Sequence, residues 1–238
     1  MRKVMAIVLR ERETGLLALI VLLSIAAGLR DPAFVSVQNW RDILVNAAPI
    51  LVLACGLMPV IVTGEIDISI GSLTGLLAGL LGVMSSTAQL GWSPAAATVF
   101  ILAGGAAAGL ATGSLVTLAR IPSIIVTLGL LTALRGVMIW VMQGNQIGDF
   151  PTPIRWWGTG SLLGVPVPLC LALIVAAATG WMAVQTATGR RLYALGSNPA
   201  AAKLAGLSEH RLKLFAFGWC GFLTGLGTLM LVGKLGVV

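Results

Sequence analysis

The sequence predicts an all-α polytopic membrane protein, and three observations carry that prediction. Hydrophobic residues make up 58% of the 238 residues and charged residues only 10%, a balance that a water-soluble domain of this length has no interior to hide. Seven apolar runs take up most of the chain: Gly15–Leu29, Ile43–Thr63, Ile68–Met84, Ala95–Leu118, Ile121–Val141, Val165–Val184 and Leu214–Val232. Each is apolar on all sides instead of along one stripe, as expected of helices surrounded by lipid. A helix rises about 1.5 Å per residue, so roughly 20 residues cross a hydrocarbon core about 30 Å thick. Gly15–Leu29, the shortest run, needs help from its flanks. The expected architecture is one bundle of about seven transmembrane helices, forming a single membrane domain over residues 1–238.

Charge sets the expected orientation. The formal net charge is +7, and its distribution matters more than its size. Arg2, Lys3, Arg10, Arg12, Arg120, Arg190, Arg191, Lys203, Arg211 and Lys213 fall on one side of the predicted bundle. Arg30, Arg41, Arg155 and Lys234 fall on the other. Loops rich in Lys and Arg stay cytoplasmic, which puts the N-terminus inside and the end of the seventh run outside. The basic balance therefore reports topology, and no nucleic-acid partner is expected. Cys55, Cys170 and Cys220 lie inside apolar runs, where cysteine acts as a small hydrophobe. Their spacing suggests neither a metal cage nor a redox pair, and no cofactor is expected. Basic residues before an apolar run also suit a signal peptide. With no small-residue cleavage site before a polar start, the first run reads as an uncleaved helix.

Along the chain, small residues recur four apart: Gly71, Gly75 and Gly79, then Gly105, Gly109 and Gly113, then Gly221 and Gly225. In lipid such faces let helix backbones approach closely, which suits a tightly packed bundle and also helices that slide. Two connections are long. Met142–Gly164, on the outer side, carries Trp156 and Trp157, whose rings suit the headgroup level or a surface for a partner protein. Gln185–Lys213 lies on the inner side.

Polar chemistry concentrates at few places. The second and third runs are separated by only Gly64, Glu65, Ile66 and Asp67, which makes them a helical hairpin with two acids in its turn. Asp67 is placed to cap the third helix by accepting from free N–H groups near Ser69 and Ile70, where its charge also suits the helix dipole. Glu65 has no comparable local task. Either it is solvated at an interfacial turn, or it stands at the mouth of a translocation path, as acids at membrane depth tend to. Arg135 lies inside the fifth run; it either snorkels to the interface or pairs within the bundle, with carbonyls or with Glu65 or Asp67. His210 reads as a solvated loop residue. In the inner loop, Asn198 followed by Pro199 is a helix start, and Gly206 is a natural stop after helix-forming Ala200 to Ala205. This short helix, with Leu204 and Leu207, seats in a groove of a cytosolic partner or rests on the lipid surface.

At these residues the chain resembles the membrane permeases of bacterial ABC importers for monosaccharides, a group that includes ribose, xylose, rhamnose and autoinducer-2 permeases. Gly64-Glu-Ile-Asp-Ile-Ser-Ile-Gly-Ser72 is similar to that family's Gly-Gly-Ile-Asp-Leu-Ser-Val-Gly-Ser signature. Ile121-Pro-Ser-Ile-Ile-Val-Thr-Leu-Gly129, with Arg135 and Gly136, is similar to its second block, and Thr188 to Leu207 to its cytoplasmic coupling loop. The resemblance implies that Glu65, Asp67, Ser69, Gly71, Ser72 and Arg135 belong to the signature and the translocation path. It further implies that Gly189, Arg190, Gly196, Asn198, Pro199, Ala201, Ala202 and Gly206 couple to the ATPase, within a loop over 185–213. Expected partners are cytosolic ATP-binding cassette subunits, a second permease copy or paralogue, a periplasmic solute-binding protein and the lipid of the bacterial inner membrane. Glu65 departs from the signature's second glycine. Family members are also longer and carry further spans, so the resemblance implies a truncated or partial permease.

No G-x-x-x-x-G-K-[ST] run occurs, so ATP hydrolysis belongs to a partner and the chain itself is not an enzyme. Rival readings are an ion-driven secondary transporter with acids near the midplane, a non-transporting membrane subunit, and a branched-chain amino acid permease. Intramembrane catalysis has the least support, since no nucleophile–base pairing is visible.

Overall fold

The computed structural model describes residues 12–86 and 89–238; Arg2, Lys3 and Arg10 of the topology argument lie outside them. The described chain is mostly helical. It falls into two compact units, Met1–Asn46 and Ala47–Val238.

In the first unit, α1 (Arg12–Arg30) leads into a 3-10 turn (Pro32–Val35) and the start of α2 (Val37–Val62). Asp31 caps the turn by accepting from the Ala33 N–H at 2.9 Å, and the Asn39 side-chain amide donates to the Phe34 carbonyl at 2.6 Å.

In the second unit, the rest of α2 is followed by α3 (Ile70–Ser85), α4 (Pro94–Thr117), α5 (Ser123–Met142) and α6 (Thr152–Thr159). A two-residue hairpin, β1 (Ser161–Leu162) and β2 (Val165–Pro166), comes next. Its central Leu163 and Gly164 both take positive φ, 51° and 84°, the backbone of a type I′ turn. Then come α7 (Val167–Gln185), α8 (Ala187–Ser197), α9 (Pro199–Leu204) and α10 (Glu209–Leu235). The predicted outer segment Met142–Gly164 is thus partly ordered into α6 and half a hairpin.

Among the described residues, five helices are long and apolar enough to cross a membrane: α2, α4, α5, α7 and α10. The apolar stretches Thr14–Arg30 and Ile70–Ser85 are shorter. The chain is therefore a multi-pass α-helical membrane protein.

The core is organised around α10, buried along most of its length. Its closest neighbour is α4, and glycine decides the approach. A methyl group built at Gly105 would collide with the Gly221 carbonyl, and one at Gly109 with the Phe217 carbonyl. One at Gly225 would come within 2.8 Å of the Ile101 carbonyl. The backbones touch with no side chain between them, the packing available to helices in lipid through small residues. The other stripe meets different partners: on α3, Gly75 and Gly79 lie under the Met138 and Met142 side chains of α5. Near the C-terminal end of α10, Gly158 of α6 sits against Gly233 and Lys234.

Three apolar clusters fill the second unit. Val60, Val116, Leu192, Leu195, Leu212 and Phe217 make one, at the end of the bundle where α2 finishes and α10 begins. Leu77, Leu81, Ile101, Ile154 and Leu229 make another, and Val52, Ala172, Leu223 and Met230 a third.

Candidate functional site

The turn between α2 and α3 is the polar centre of this second unit. The last turn of α2 closes when the Thr63 hydroxyl donates to the Val60 carbonyl at 2.8 Å. Gly64 then takes φ +81°, a left-handed conformation that only glycine adopts freely, and the Glu65 N–H returns to the Val60 carbonyl at 3.1 Å. The reversal delivers Glu65 to α10, where its carboxylate lies 2.6 Å from the Lys213 ammonium. Lys213 also holds Glu209, one helical turn earlier, at 2.5 Å. The Glu65 and Lys213 side chains are 15% and 14% exposed, whereas Glu209 is 52% exposed. The Glu65–Lys213 bond is therefore the stronger of the two, because water screens it less.

Asp67 accepts from both the backbone N–H and the hydroxyl of Ser69, at 2.9 and 2.6 Å. It thereby satisfies a free donor one residue ahead of α3. Ser69, at the cap position, makes no side-chain cap bond of its own. The peptide between the two acids is clamped by the first turns of α5. The Ile66 N–H donates to the buried Ser123 hydroxyl at 3.2 Å, and the Thr127 hydroxyl donates to the Ile66 carbonyl at 3.3 Å. The signature-like turn is thus tied to α5 on one side and α10 on the other.

Other residues of the same group lie apart. Gly71 is exposed with open space around it, and Ser72 is half-buried on α3. Arg135 is exposed on α5 and, among the described residues, pairs with neither acid. Of the two readings of Arg135, pairing with Glu65 or Asp67 is not found, since those carboxylates lie on Lys213 and Ser69.

The loop over 185–213 holds more structure than its sequence suggested, because α8 precedes the expected short helix. Thr186 caps α8 by accepting from the Gly189 N–H at 3.1 Å. Gly189 is buried where a methyl group would strike the Met182 and Ala183 carbonyls. Arg190 is exposed and donates to the Gln185 carbonyl at 3.2 Å. Leu192 and Leu195 of α8 pack into the cluster around Val60 and Phe217. At the end of α8, a methyl group on Gly196 would collide with the Val62 carbonyl, so α8 rests backbone-to-backbone on the end of α2.

Asn198 caps α9, its side chain accepting from the Ala201 N–H at 3.0 Å, with Pro199 in the first position. Ala202 is buried, and Gly206 leaves the helix at φ +78°. The two leucines expected on a common face diverge: Leu204 is 91% exposed, while Leu207 packs on the chain's own core.

His210 lies in the first turn of α10, half-buried, with Nδ1 2.7 Å from the Thr117 hydroxyl of α4. It is not the solvated loop residue expected. The Thr117 proton is committed to the Gly113 carbonyl at 2.6 Å, so His210 Nδ1–H donates and Nε2 faces away from the pair. A cleft of about 630 Å³ opens beside these residues, lined by Glu65, Arg120, Ser123, Lys203, His210 and Lys213 among others.

Sequence reasoning gave Lys213 a place only in the charge distribution and Ser123 and Thr127 a place only within the second block, and it did not find the contacts they make or the His210–Thr117 pair. The one available signal was an acid, Glu65, with no local partner. Among the described residues no cluster of three metal-ligating side chains occurs. The arrangement joins α3, α5 and α10 around one turn.

Helices of this length and polarity, gathered around a polar turn, define a multi-pass α-helical membrane protein. Residues 39–238 match the family described as "Branched-chain amino acid transport system / permease component", and the chain belongs to that family. It is 32% identical over 228 residues to the Autoinducer 2 import system permease protein LsrC of Shigella flexneri, covering 96% of this chain and 66% of the relative. It is 34% identical over 227 residues to the Ribose import permease protein RbsC of Escherichia coli K12, covering 94% and 70%. The LsrC protein of Yersinia pseudotuberculosis serotype O:1b (strain IP 31758) is 33% identical over 225 residues, covering 94% and 63%. The chain thus spans about two thirds of the length of these relatives. No solved structure matches the chain.

Proposed function

We propose that the protein is a translocation subunit of an ATP-binding cassette importer for a monosaccharide or a sugar-like solute. The relatives named for ribose and autoinducer-2 support that substrate class over branched-chain amino acids. In this reading the helices cross the inner membrane seven times, with α3 spanning by virtue of the Asp67–Ser69 turn that extends it. The end bearing Arg120, Arg190, Arg191, Lys203, Arg211 and Lys213 faces the cytoplasm. A periplasmic solute-binding protein delivers the solute from outside, and a second permease copy or paralogue completes the path. ATP is hydrolysed by separate subunits that seat against α8 and α9, with Leu204 presented to them.

One observation carries the mechanism: Gly196 of α8 rests on the Val62 carbonyl of α2, three residues before the Glu65–Asp67 turn. A displacement of α8 reaches that turn through backbone atoms. From there it passes to α5 through Ser123 and Thr127 and to α10 through Lys213. Chemical energy released outside the membrane becomes a change in access between helices. Asn198, Pro199, Ala201, Ala202 and Gly206 build α9 as the part that the ATPase grips, and Gly189 and Arg190 set the start of α8.

The test is uptake of labelled ribose and autoinducer-2 by cells carrying Gly196→Val at the native locus. The expected result is normal membrane abundance with uptake lost. Unchanged uptake would remove the α8–α2 contact from the mechanism. Uptake that survives vanadate but collapses with an uncoupler would replace the ABC reading with an ion-driven one.

A further inference from the structure

We propose that the cleft between the α2–α3 turn, the α4–α5 turn and the start of α10 binds a phosphate group, carried by an anionic lipid headgroup or by a soluble phosphate compound. The argument is a count of committed and uncommitted hydrogen-bonding groups. The two carboxylates in the lining, Glu65 and Glu209, both turn to Lys213. That leaves Arg120 and Lys203, both exposed and neither in an ion pair among the described residues.

The hydroxyls point the same way. Ser123 accepts from the Ile66 N–H and Ser208 accepts from the Arg211 N–H, at 3.2 and 3.4 Å. Each therefore keeps its own proton for a ligand. His210 is held by Thr117 through Nδ1, which leaves Nε2 over.

Uncommitted donors thus outnumber acceptors in a cleft of about 630 Å³, large enough for a headgroup or a small organic phosphate. The guanidinium of Arg120 suits a tetrahedral anion through paired N–H bonds. Its backbone is held at φ 55°, left-handed and unfavourable for a residue with a side chain. The cleft lies at the helix ends, where basic hollows between membrane helices meet lipid headgroups. The proposal does not depend on the transport reading.

The experiment uses the purified full chain in nanodiscs of phosphatidylcholine and follows its thermal midpoint. One arm replaces part of the lipid with phosphatidylglycerol; the other adds sodium pyrophosphate. A ligand that binds only the folded protein raises the midpoint in proportion to its occupancy. At least one probe is expected to raise it for the wild-type chain. Arg120→Gln with Lys203→Gln should then weaken the apparent affinity by about tenfold or more, the scale of one charge-assisted hydrogen bond. Arg155→Gln, an equal charge loss on α6, should leave it unchanged. A response to phosphatidylglycerol alone assigns the phosphate to lipid; a response to pyrophosphate assigns it to a soluble compound. If Arg120→Gln does not fold, Lys203→Glu at its exposed position carries the comparison. No response to either probe, or an equal loss in Arg155→Gln, overturns the proposal.

Discussion

Replacing Lys213 with methionine tests whether the polar turn is held to α10 by charge. Methionine keeps the length and apolar stem and removes the ammonium. Two carboxylates lose their partner, but not equally. Glu65, 15% exposed, sits where a hydrogen bond to a charged group contributes about 2 kcal/mol. Glu209, 52% exposed, makes a surface pair on its own helix that contributes about 0.5 kcal/mol. Lys213→Met should therefore destabilise by about 2–3 kcal/mol, less than the loss expected of a fully buried pair. Glu65→Gln keeps Lys213 attached to Glu209 and should cost about 1–2 kcal/mol; Glu209→Gln should cost about 0.5 kcal/mol.

The assay is reversible unfolding of the purified chain in mixed micelles, run as a double-mutant cycle on Glu65 and Lys213. A coupling of about 1–2 kcal/mol is expected, falling little between low and high salt because the pair is mostly sheltered. A coupling near zero, or a Glu209–Lys213 coupling larger than that of Glu65–Lys213, would refute the ranking by exposure and with it the bridge as the link between turn and helix.

Glycine substitutions separate the helix seams by chemistry. Gly109→Val should destabilise by about 3 kcal/mol or more, because its side chain must displace the Phe217 carbonyl of α10. Gly129→Ala, with open space around it on α5, should be neutral or stabilising by about 0.5–1 kcal/mol; equal effects in thermal unfolding would count against the seam. Asn198→Ala should cost about 1 kcal/mol as the cap of α9 is lost. Hydrogen exchange should then report faster opening confined to Pro199–Leu204, and unchanged exchange there would mean that the cap contributes nothing.

Much of the fold was legible because lipid imposes a simple rule on sequence. Long apolar runs forecast α2, α4, α5, α7 and α10 closely, and Asn198-Pro199 with Gly206 bracketed α9 to within a residue or two. Helix α8 was missed for a physical reason: its residues, Arg190 and Arg191 among them, are too polar to form an apolar run. Two of its few large apolar side chains, Leu192 and Leu195, point into a core assembled from distant helices. Asp67 acts within two residues of itself, so local capping rules found it. Glu65 acts on Lys213, far along the chain, and no local rule reports such a pairing. Its missing local task was the visible trace of that distant bond. Arg135 shows the converse: an arginine inside an apolar run suggests a partner, yet a side chain on the outer face of α5 needs none from the bundle.

The two glycine seams differ in stiffness. Where α4 meets α10, carbonyl meets backbone and nothing lies between that can change rotamer, so the pair behaves as one solid strut. Where α3 meets α5, the glycines face methionine thioethers, unbranched chains that yield at three torsions. Shear within the unit is therefore taken up at the methionine-lined joint, and the strut passes force along its length without absorbing it.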